Sequence, residues 1–408
     1  MKVLFIYSLQ KSLTREKPLL GQEGIQFGIS YISSLLKKNG HSTDLIVIDR
    51  KYKKRNIMAL HNIIGSYHPG LICFTSVHSE FEFILDIANQ VKKIFPLIPL
   101  MLGGVHITLN PLECILNSFD SICIGEGEYP VLEYANCLQK NESPKGIPNL
   151  WLKEAGKVYI NPARDFVKNL DTLPFPDRDL WQEWILEPQS KLTLLLGRGC
   201  PYNCTYCCNH MLRKIAKGEY VRLRSPENIL TEIESLYEKF PTIDEYFLEV
   251  ETIGCDLEWL KDLCKKLHEF NSSKTDKLSF GTNLRVFPNM NFEAVFKNLK
   301  YANFDSVIIG LESGNESLRR EVLNRAYSNE DILKAVGVAR KYGIKIGIFN
   351  MVGLPTETQE DFKDTVRMNQ TIKPDWHSTS IFFPYEGTRL YETDRRNEPF
   401  AAKVKYKG

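Results

Sequence analysis

No stretch of this chain reaches the ~18 to 20 consecutive apolar residues that a membrane-spanning helix needs. The opening MKVLFIYSLQ has a short apolar run but lacks the longer apolar region and small-residue cleavage site of a secretory signal. A cytoplasmic location is therefore the expectation. An excess of charge is missing too: 52 basic and 50 acidic side chains leave a net +2. That balance makes no global electrostatic case for nucleic acid or a membrane surface. Low-complexity tracts and short fixed-period repeats are also absent, so repeat architectures drop out.

What is present is a globular composition, 43% hydrophobic and 25% charged. At ~150 residues per domain, 408 residues predict two or three domains. In the first part, KVLFIY (2 to 7), STDLIVID, LICFTSV, LIPLMLGG and DSICIGEG read as strands. Helical patterns such as GISYISSLLKKNG (28 to 40) lie between several of them. Strand then helix, repeated about five times, predicts a doubly wound parallel sheet of the flavodoxin or Rossmann kind over residues 1–140. Ligands of such sheets sit at the carboxyl ends of the strands. Those ends carry Ser76 and His78; Gly103, Gly104, His106 and Thr108; and Gly125, Glu126 and Gly127. The glycines let backbone approach a ligand, and the hydroxyls can bond a phosphate or nucleotide tail.

Residues 141–190, with NESPKGIPN and the proline-rich NLDTLPFPDRDLW, predict a linker packed between domains. From 191 to 408 the alternation resumes. KLTLLLG is the first strand, and others follow at 245–250, 278–282, 305–311, 344–349 and 378–383. Ser225 before Pro226 predicts one helix start, and Ser328 with Asp331 predicts a capping box. Six units in ~190 residues fall short of the ~250 of a closed eight-fold barrel, so a partial (β/α)6 barrel is expected.

Ten cysteines in a reducing compartment are mostly free thiols, and Cys73 and Cys123 sit in apolar runs as core residues. GRGCPYNCTYCC (197 to 208) differs: it spaces Cys200, Cys204 and Cys207 as C-x-x-x-C-x-x-C, just past the first barrel strand. A disulfide would leave an odd thiol. Structural zinc wants four ligands, usually as two separated pairs, and no second C-x-x-C follows, although His210 could complete a Cys3His set. A four-iron, four-sulfur cluster held by three cysteines would leave one iron open for chemistry. On spacing alone the cluster, zinc and inert thiols all stay open.

The cysteine loop resembles that of the radical S-adenosylmethionine (SAM) enzymes, and the likeness continues through VIIGLESGNESLRREVLNRAYSNEDILKA (307 to 335), MVGLPTETQEDFKDTV (351 to 366) and FFPYEGTRLYE (382 to 392). GGVHITLNPLECILNSFDSICIGEGEYPVLEY (103 to 134) resembles the cobalamin-binding domain that precedes the barrel in one large branch of that family. Ser76 and Gly103-Gly104 approximate the serine loop and Gly-Gly pair of that domain. The D-x-H-x-x-G segment is missing: ISYISSLLK stands where it would fall. This implies either a cobalt without a histidine from the protein or a domain that serves only as a platform.

The resemblance implies a cluster on Cys200, Cys204 and Cys207, with Cys208 a packed neighbour and Arg198 a support of the loop. It places Tyr206, Glu312 and Ser313 against SAM. Asn283 and Arg285 are expected at its carboxylate, and Glu249, with Glu251 and Thr252, at its amino group. Ser76, His78, Gly103, Gly104, His106, Thr108, Gly125, Glu126 and Gly127 are the expected cobalamin contacts. The implied chemistry is reductive cleavage of SAM to a 5'-deoxyadenosyl radical that abstracts hydrogen from an unactivated carbon, followed by methyl transfer, ring formation or rearrangement. A small-molecule or biosynthetic-intermediate substrate and an electron donor such as flavodoxin or ferredoxin are the expected partners. About twenty residues follow the last strand, so the wall over the substrate is expected from the linker or from a large substrate itself. No residue is assigned to catalysis or to the substrate.

Overall fold

The computed structural model describes residues 1–394 except Lys11, Arg15 and Thr252. The chain divides into two compact units, one of residues 1–188 with 211–219, the other of residues 189–210 with 220–408. Among the described residues, no helix is long and apolar enough to cross a membrane.

The first unit contains, in order, β1 (Lys2–Leu9), α1 (Phe27–Lys38), β2 (Ser42–Asp49), α2 (Lys53–Tyr67), β3 (Leu71–Thr75), α3 (Phe81–Ile94) and β4 (Leu100–Gly103). Two short helices, α4 (Val105–Leu109) and α5 (Pro111–Ile115), precede β5 (Ser121–Cys123) and α6 (Glu128–Lys140). The strands pair in parallel in the order β2-β1-β3-β4-β5, so the chain reverses direction across the sheet between β1 and β3. Helices on both faces bury near-continuous apolar strands such as KVLFIY. One core gathers Leu4, Ile6, Ile72, Phe74 and Leu102 with residues of α2 and α3; the other gathers Val3, Phe5, Cys73 and Met101 with residues of α1 and α6.

The segment expected as a linker departs from that reading. Leu150–Glu154 and Lys157–Ile160 form β6 and β7, an antiparallel hairpin that extends the first sheet beyond β5. Its two-residue turn, Ala155-Gly156, has positive φ at both positions, the twist that suits right-handed strands. Further on, Trp181 is fully buried in the core of this unit, and its indole N–H donates to Ser30 Oγ at 2.8 Å.

The second unit runs β8 (Leu192–Leu195), β9 (Gly197–Arg198), α7 (Asn209–Leu212), β10 (Arg222–Leu223), α8 (Pro226–Lys239), β11 (Glu245–Glu249), α9 (Leu257–Ser272), β12 (Ser279–Leu284) and α10 (Phe292–Tyr301). β13 (Phe304–Glu312), α11 (Glu316–Glu321), α12 (Asn329–Lys341), β14 (Lys345–Val352), α13 (Gln359–Ile372), β15 (Trp376–Ile381) and α14 (Arg389–Asp394) complete it. Six strands pair in parallel in chain order, β8-β11-β12-β13-β14-β15, as a partial barrel requires. Ser225 caps α8 through the backbone N–H of Asn228, and Ser328 with Asp331 closes the capping box of α12.

Strand alternation sorts this second sheet into two faces. Leu192, Leu194, Tyr246, Leu248, Phe280, Leu284, Val307, Ile309, Leu311, Ile346 and Ile348 share a core with the helices. The opposite face therefore carries Glu249 on β11, Asn283 on β12 and Glu312 on β13, with Arg285 one step past β12. A period of two, set by the apolar face, brings these polar groups together at the carboxyl end.

Candidate active site

Two glycines shape the entry to the cysteine loop. A Cβ on Gly197 would lie 2.5 Å from the Arg222 carbonyl oxygen, and one on Gly199, at φ +84°, would lie 2.2 Å from that of Tyr220. Only glycine lets β9 lie antiparallel against β10 at this distance. Gly199→Ala is expected to destabilise the protein by more than ~1 kcal/mol and to lower its iron content after reconstitution. Thermal unfolding and iron analysis check this. Arg198 pairs with Arg222 in that ladder.

Farther along, the buried Thr205 pins the loop. Its N–H donates to Leu323 O at 3.2 Å, its hydroxyl to Val322 O at 2.5 Å, and its carbonyl accepts from Leu390 N at 2.9 Å. Cys200 and Cys204 are buried and Cys207 is half-buried; the Cys207 N–H closes a tight turn onto Cys204 O at 3.2 Å. Burial pushes the Cys200 thiol up to about 11. Cys207 is pulled down to about 6, chiefly by a hydrogen bond from the Cys208 thiol, whose own proton is correspondingly hard to remove. Cys208 is therefore more than a packing neighbour.

The donor set suits a cluster better than zinc. Zinc bonds of about 2.3 Å in a tetrahedron set sulfurs roughly 3.8 Å apart, yet among the described residues no three thiols gather within 4.8 Å of one another. His210, the possible fourth zinc ligand, is buried and accepts the Arg389 N–H on Nε2 at 3.2 Å.

Around the thiols, Arg285 donates from Nη1 to Cys204 Sγ at 2.6 Å, and its guanidinium lies 3.7 Å over the Tyr202 ring. Arg285, expected at the SAM carboxylate, thus has one of its nitrogens on a cysteine sulfur. Asn209 Nδ2 donates to Cys207 Sγ at 3.4 Å, and its Oδ1 accepts from the Tyr220 hydroxyl at 2.5 Å. Glu249 and Glu251 keep part of their surface in solvent, yet the protein packed around their carboxyls holds both above their ordinary range. Burial dominates in each case, and repulsion from Glu251 adds to the effect on Glu249. Asn283 is half-buried on the same face. Thr252 lies outside the described residues.

Tyr206 and Glu312 converge on Arg325, a residue that sequence reading did not single out. The Arg325 guanidinium pairs with the Glu312 carboxylate and donates to the Tyr206 hydroxyl at 2.7 Å. Glu312 sits at φ +62°, where the pairing of β13 with β14 shifts register, and its carboxylate folds back over Gly310. Such a backbone costs of order 1–3 kcal/mol for a side chain like glutamate. Ser313 departs from expectation. It is fully buried, and its hydroxyl accepts from Asn315 N at 3.2 Å and lies 3.5 Å from Thr365 Oγ1 of α13, so its polar atoms serve the fold.

In the first unit, the predicted residues line the carboxyl ends of β3, β4 and β5. Gly104, at φ +111°, passes so close to Ser76 that a Cβ would meet the Ser76 carbonyl oxygen at 2.6 Å. Several polar atoms expected to face a ligand are engaged by the fold instead. Ser76 Oγ donates to Val77 O, Thr108 Oγ1 bridges Gly104 O and Gly125 N, and Glu126 Oε2 accepts the Val167 N–H. Gly103 leaves a Cβ only ordinary contacts, whereas one on Gly127 would meet Ile32 at 2.9 Å. His106 is the exception among the polar groups. It is buried, edge-on to His78 at 5.0 Å and tilted on Phe81 at 4.6 Å, and its Nε2 has no hydrogen-bond partner. An orphaned ring nitrogen beside a glycine-lined strand end fits a polar ligand there.

Burial, and then His78, push His106 down to about 4. In the unfolded chain an imidazole takes its proton near 6.5, but this one resists until about 4. Stability is therefore full above pH ~6.5 and falls as pH drops toward 4, by up to about 3 kcal/mol. Denaturant titrations at pH 7 and pH 4.5 check this; His106→Gln is expected to flatten the slope.

A partial barrel with three thiols in the loop after its first strand defines the radical SAM class of enzyme. Residues 194–368 match the radical SAM superfamily, and residues 19–135 match the B12 binding domain. The chain therefore carries both a radical SAM domain and a B12-binding domain. Those domains imply a four-iron, four-sulfur cluster, SAM and cobalamin as its cofactors. It is 26% identical over 399 residues to an uncharacterized methyltransferase, PH0819, of Pyrococcus horikoshii, covering 96% of this chain and 83% of that protein. It is 24% identical over 377 residues to the anaerobic magnesium-protoporphyrin IX monomethyl ester cyclase of Rubrivivax gelatinosus, covering 89% and 65%. The structure of the radical SAM methyltransferase TsrM of Kitasatospora setae aligns with TM-score 0.73 at 16% identity, covering 95% of this chain and 74% of TsrM. That likeness shows the fold.

Proposed function

We propose that the protein is a cobalamin-dependent radical SAM enzyme that methylates an unactivated carbon of a small-molecule or biosynthetic-intermediate substrate. The observation that carries this reading is the placement of Cys200, Cys204 and Cys207 at the carboxyl end of the barrel sheet, on which Glu249, Asn283 and Glu312 share the opposite face from the core. The bound cofactors supply reductive cleavage of SAM and passage of a methyl group. The chain supplies three thiolates, with Cys207 the readiest to ionise. Glu249 and Asn283 would take the amino and carboxylate groups of SAM, and Tyr206, bonded by Arg325, would bound the adenine. His78, His106 and the glycine-bearing ends of β3 to β5 would hold cobalamin. A flavodoxin or ferredoxin would deliver the electron, in the cytoplasm.

Anaerobic incubation with SAM, reductant and hydroxocobalamin, followed by mass spectrometry, tests this. Both 5'-deoxyadenosine and S-adenosylhomocysteine are expected. Deoxyadenosine alone would favour ring formation, the reading supported by the likeness to the cyclase. An unchanged hydroxocobalamin spectrum on titration with protein would leave the first unit as a platform.

A further inference from the structure

Two of the three candidate cluster thiols receive a side-chain N–H, from residues that the reaction scheme above does not use. Arg285 reaches Cys204 Sγ from Nη1 at 2.6 Å, and Asn209 reaches Cys207 Sγ from Nδ2 at 3.4 Å. Neither donor is loosely held. The Arg285 guanidinium is stacked 3.7 Å over the Tyr202 ring, and its Nε is buried without a hydrogen-bond partner. Asn209 is oriented through its amide oxygen: Oδ1 accepts from the Tyr220 hydroxyl at 2.5 Å. With its oxygen committed to Tyr220, the NH2 group must face the sulfur.

Hydrogen bonds to a cluster's sulfurs withdraw electron density and stabilise the reduced, more negative state, so the potential rises. A nearby cation acts in the same direction. We propose that Arg285 and Asn209 are positioning residues for the cluster, whose N–H···S hydrogen bonds to Cys204 and Cys207 raise its reduction potential into reach of the physiological donor. This rests on the functional reading above, and it moves Arg285 from the SAM carboxylate to the cluster. Tyr220 acts one step back, by orienting Asn209.

The test is a potentiometric titration of the reconstituted protein followed by electron paramagnetic resonance, run without SAM so that a role in holding SAM cannot move the result. Asn209→Leu and Arg285→Met keep size and remove the donor. Each is expected to lower the reduced fraction at fixed poise about tenfold, a shift of about 59 mV to more negative potential for one electron. The double variant is expected to shift by the sum, because the two donors serve different sulfurs. Tyr220→Phe keeps both donors and loses only the orienting hydroxyl, so a smaller shift in the same direction is expected. Wild-type potentials in Asn209→Leu, Arg285→Met and Tyr220→Phe, with iron content and SAM cleavage intact in the wild type, would overturn this inference and leave the functional reading standing. A wild type that takes up no iron would overturn both.

Discussion

Replacing Cys207 by alanine is expected to reduce SAM cleavage to background, whereas Cys208→Ala keeps the cluster. Cys208 falls one residue outside the C-x-x-x-C-x-x-C spacing. The structure separates them: Cys207 accepts the Asn209 N–H and its thiol is held below the ordinary range, while that of Cys208 is held above it. Iron binds the thiolate, so a thiol ionised at neutral pH is loaded without a proton cost. Cys208→Ala removes the largest cause of that depression. Its cluster should therefore assemble, but the pH midpoint of reconstitution should move upward. Iron content and 5'-deoxyadenosine formation, measured for both variants between pH 6 and 9, decide the matter. Retained cleavage in Cys207→Ala with loss in Cys208→Ala would reverse the assignment.

Arg325→Met is expected to destabilise the second unit strongly. The guanidinium is buried, paired with Glu312 and bonded to Tyr206, and it lies 5.3 Å from the Tyr327 ring. Removing it strands a largely buried carboxylate already held in a left-handed backbone, at a cost of about 3–5 kcal/mol. For a domain of this size that is roughly 10 °C or more in Tm. The double variant Glu312→Met with Arg325→Met should regain much of the loss, because an apolar pair replaces a buried ion pair at little cost. SAM affinity should stay low in both, since Tyr206 loses the group that fixes its hydroxyl. Equal instability of the double and single variants would locate the cost elsewhere.

The parallel α/β character of both units was legible because buried parallel strands write themselves as apolar runs. The caps at Ser225 and Ser328 were legible because they need only side chains a few residues apart. The hairpin β6–β7 was missed although WLKEAGKVYI carries a two-residue turn, since the surrounding prolines dominated the reading. For the candidate site, the spacing of the cysteines marked the loop, but no local pattern reveals which donor each sulfur receives. Arg325 lies 13 residues from Glu312, across α11, and Arg285 meets Cys204 from 81 residues away. The burial of Ser313 is equally invisible in the sequence: a hydroxyl beside a site residue can turn to a helix behind it, here toward Thr365.

The two-faced second sheet also constrains how this enzyme can change by loss of residues. Removing one residue from the loop ahead of β12 would only shorten a connection. Removing one inside the strand, between Phe280 and Asn283, would hand the parity of every later position to its neighbour. Thr282 and Leu284 are buried today, while Asn283 and Arg285 are not fully so. Such a deletion forces a choice between keeping the apolar face inside and keeping the amide and guanidinium over the cysteine loop. The length of β12 is thus inherited as an integer, whereas the lengths of the loops around it are free to drift.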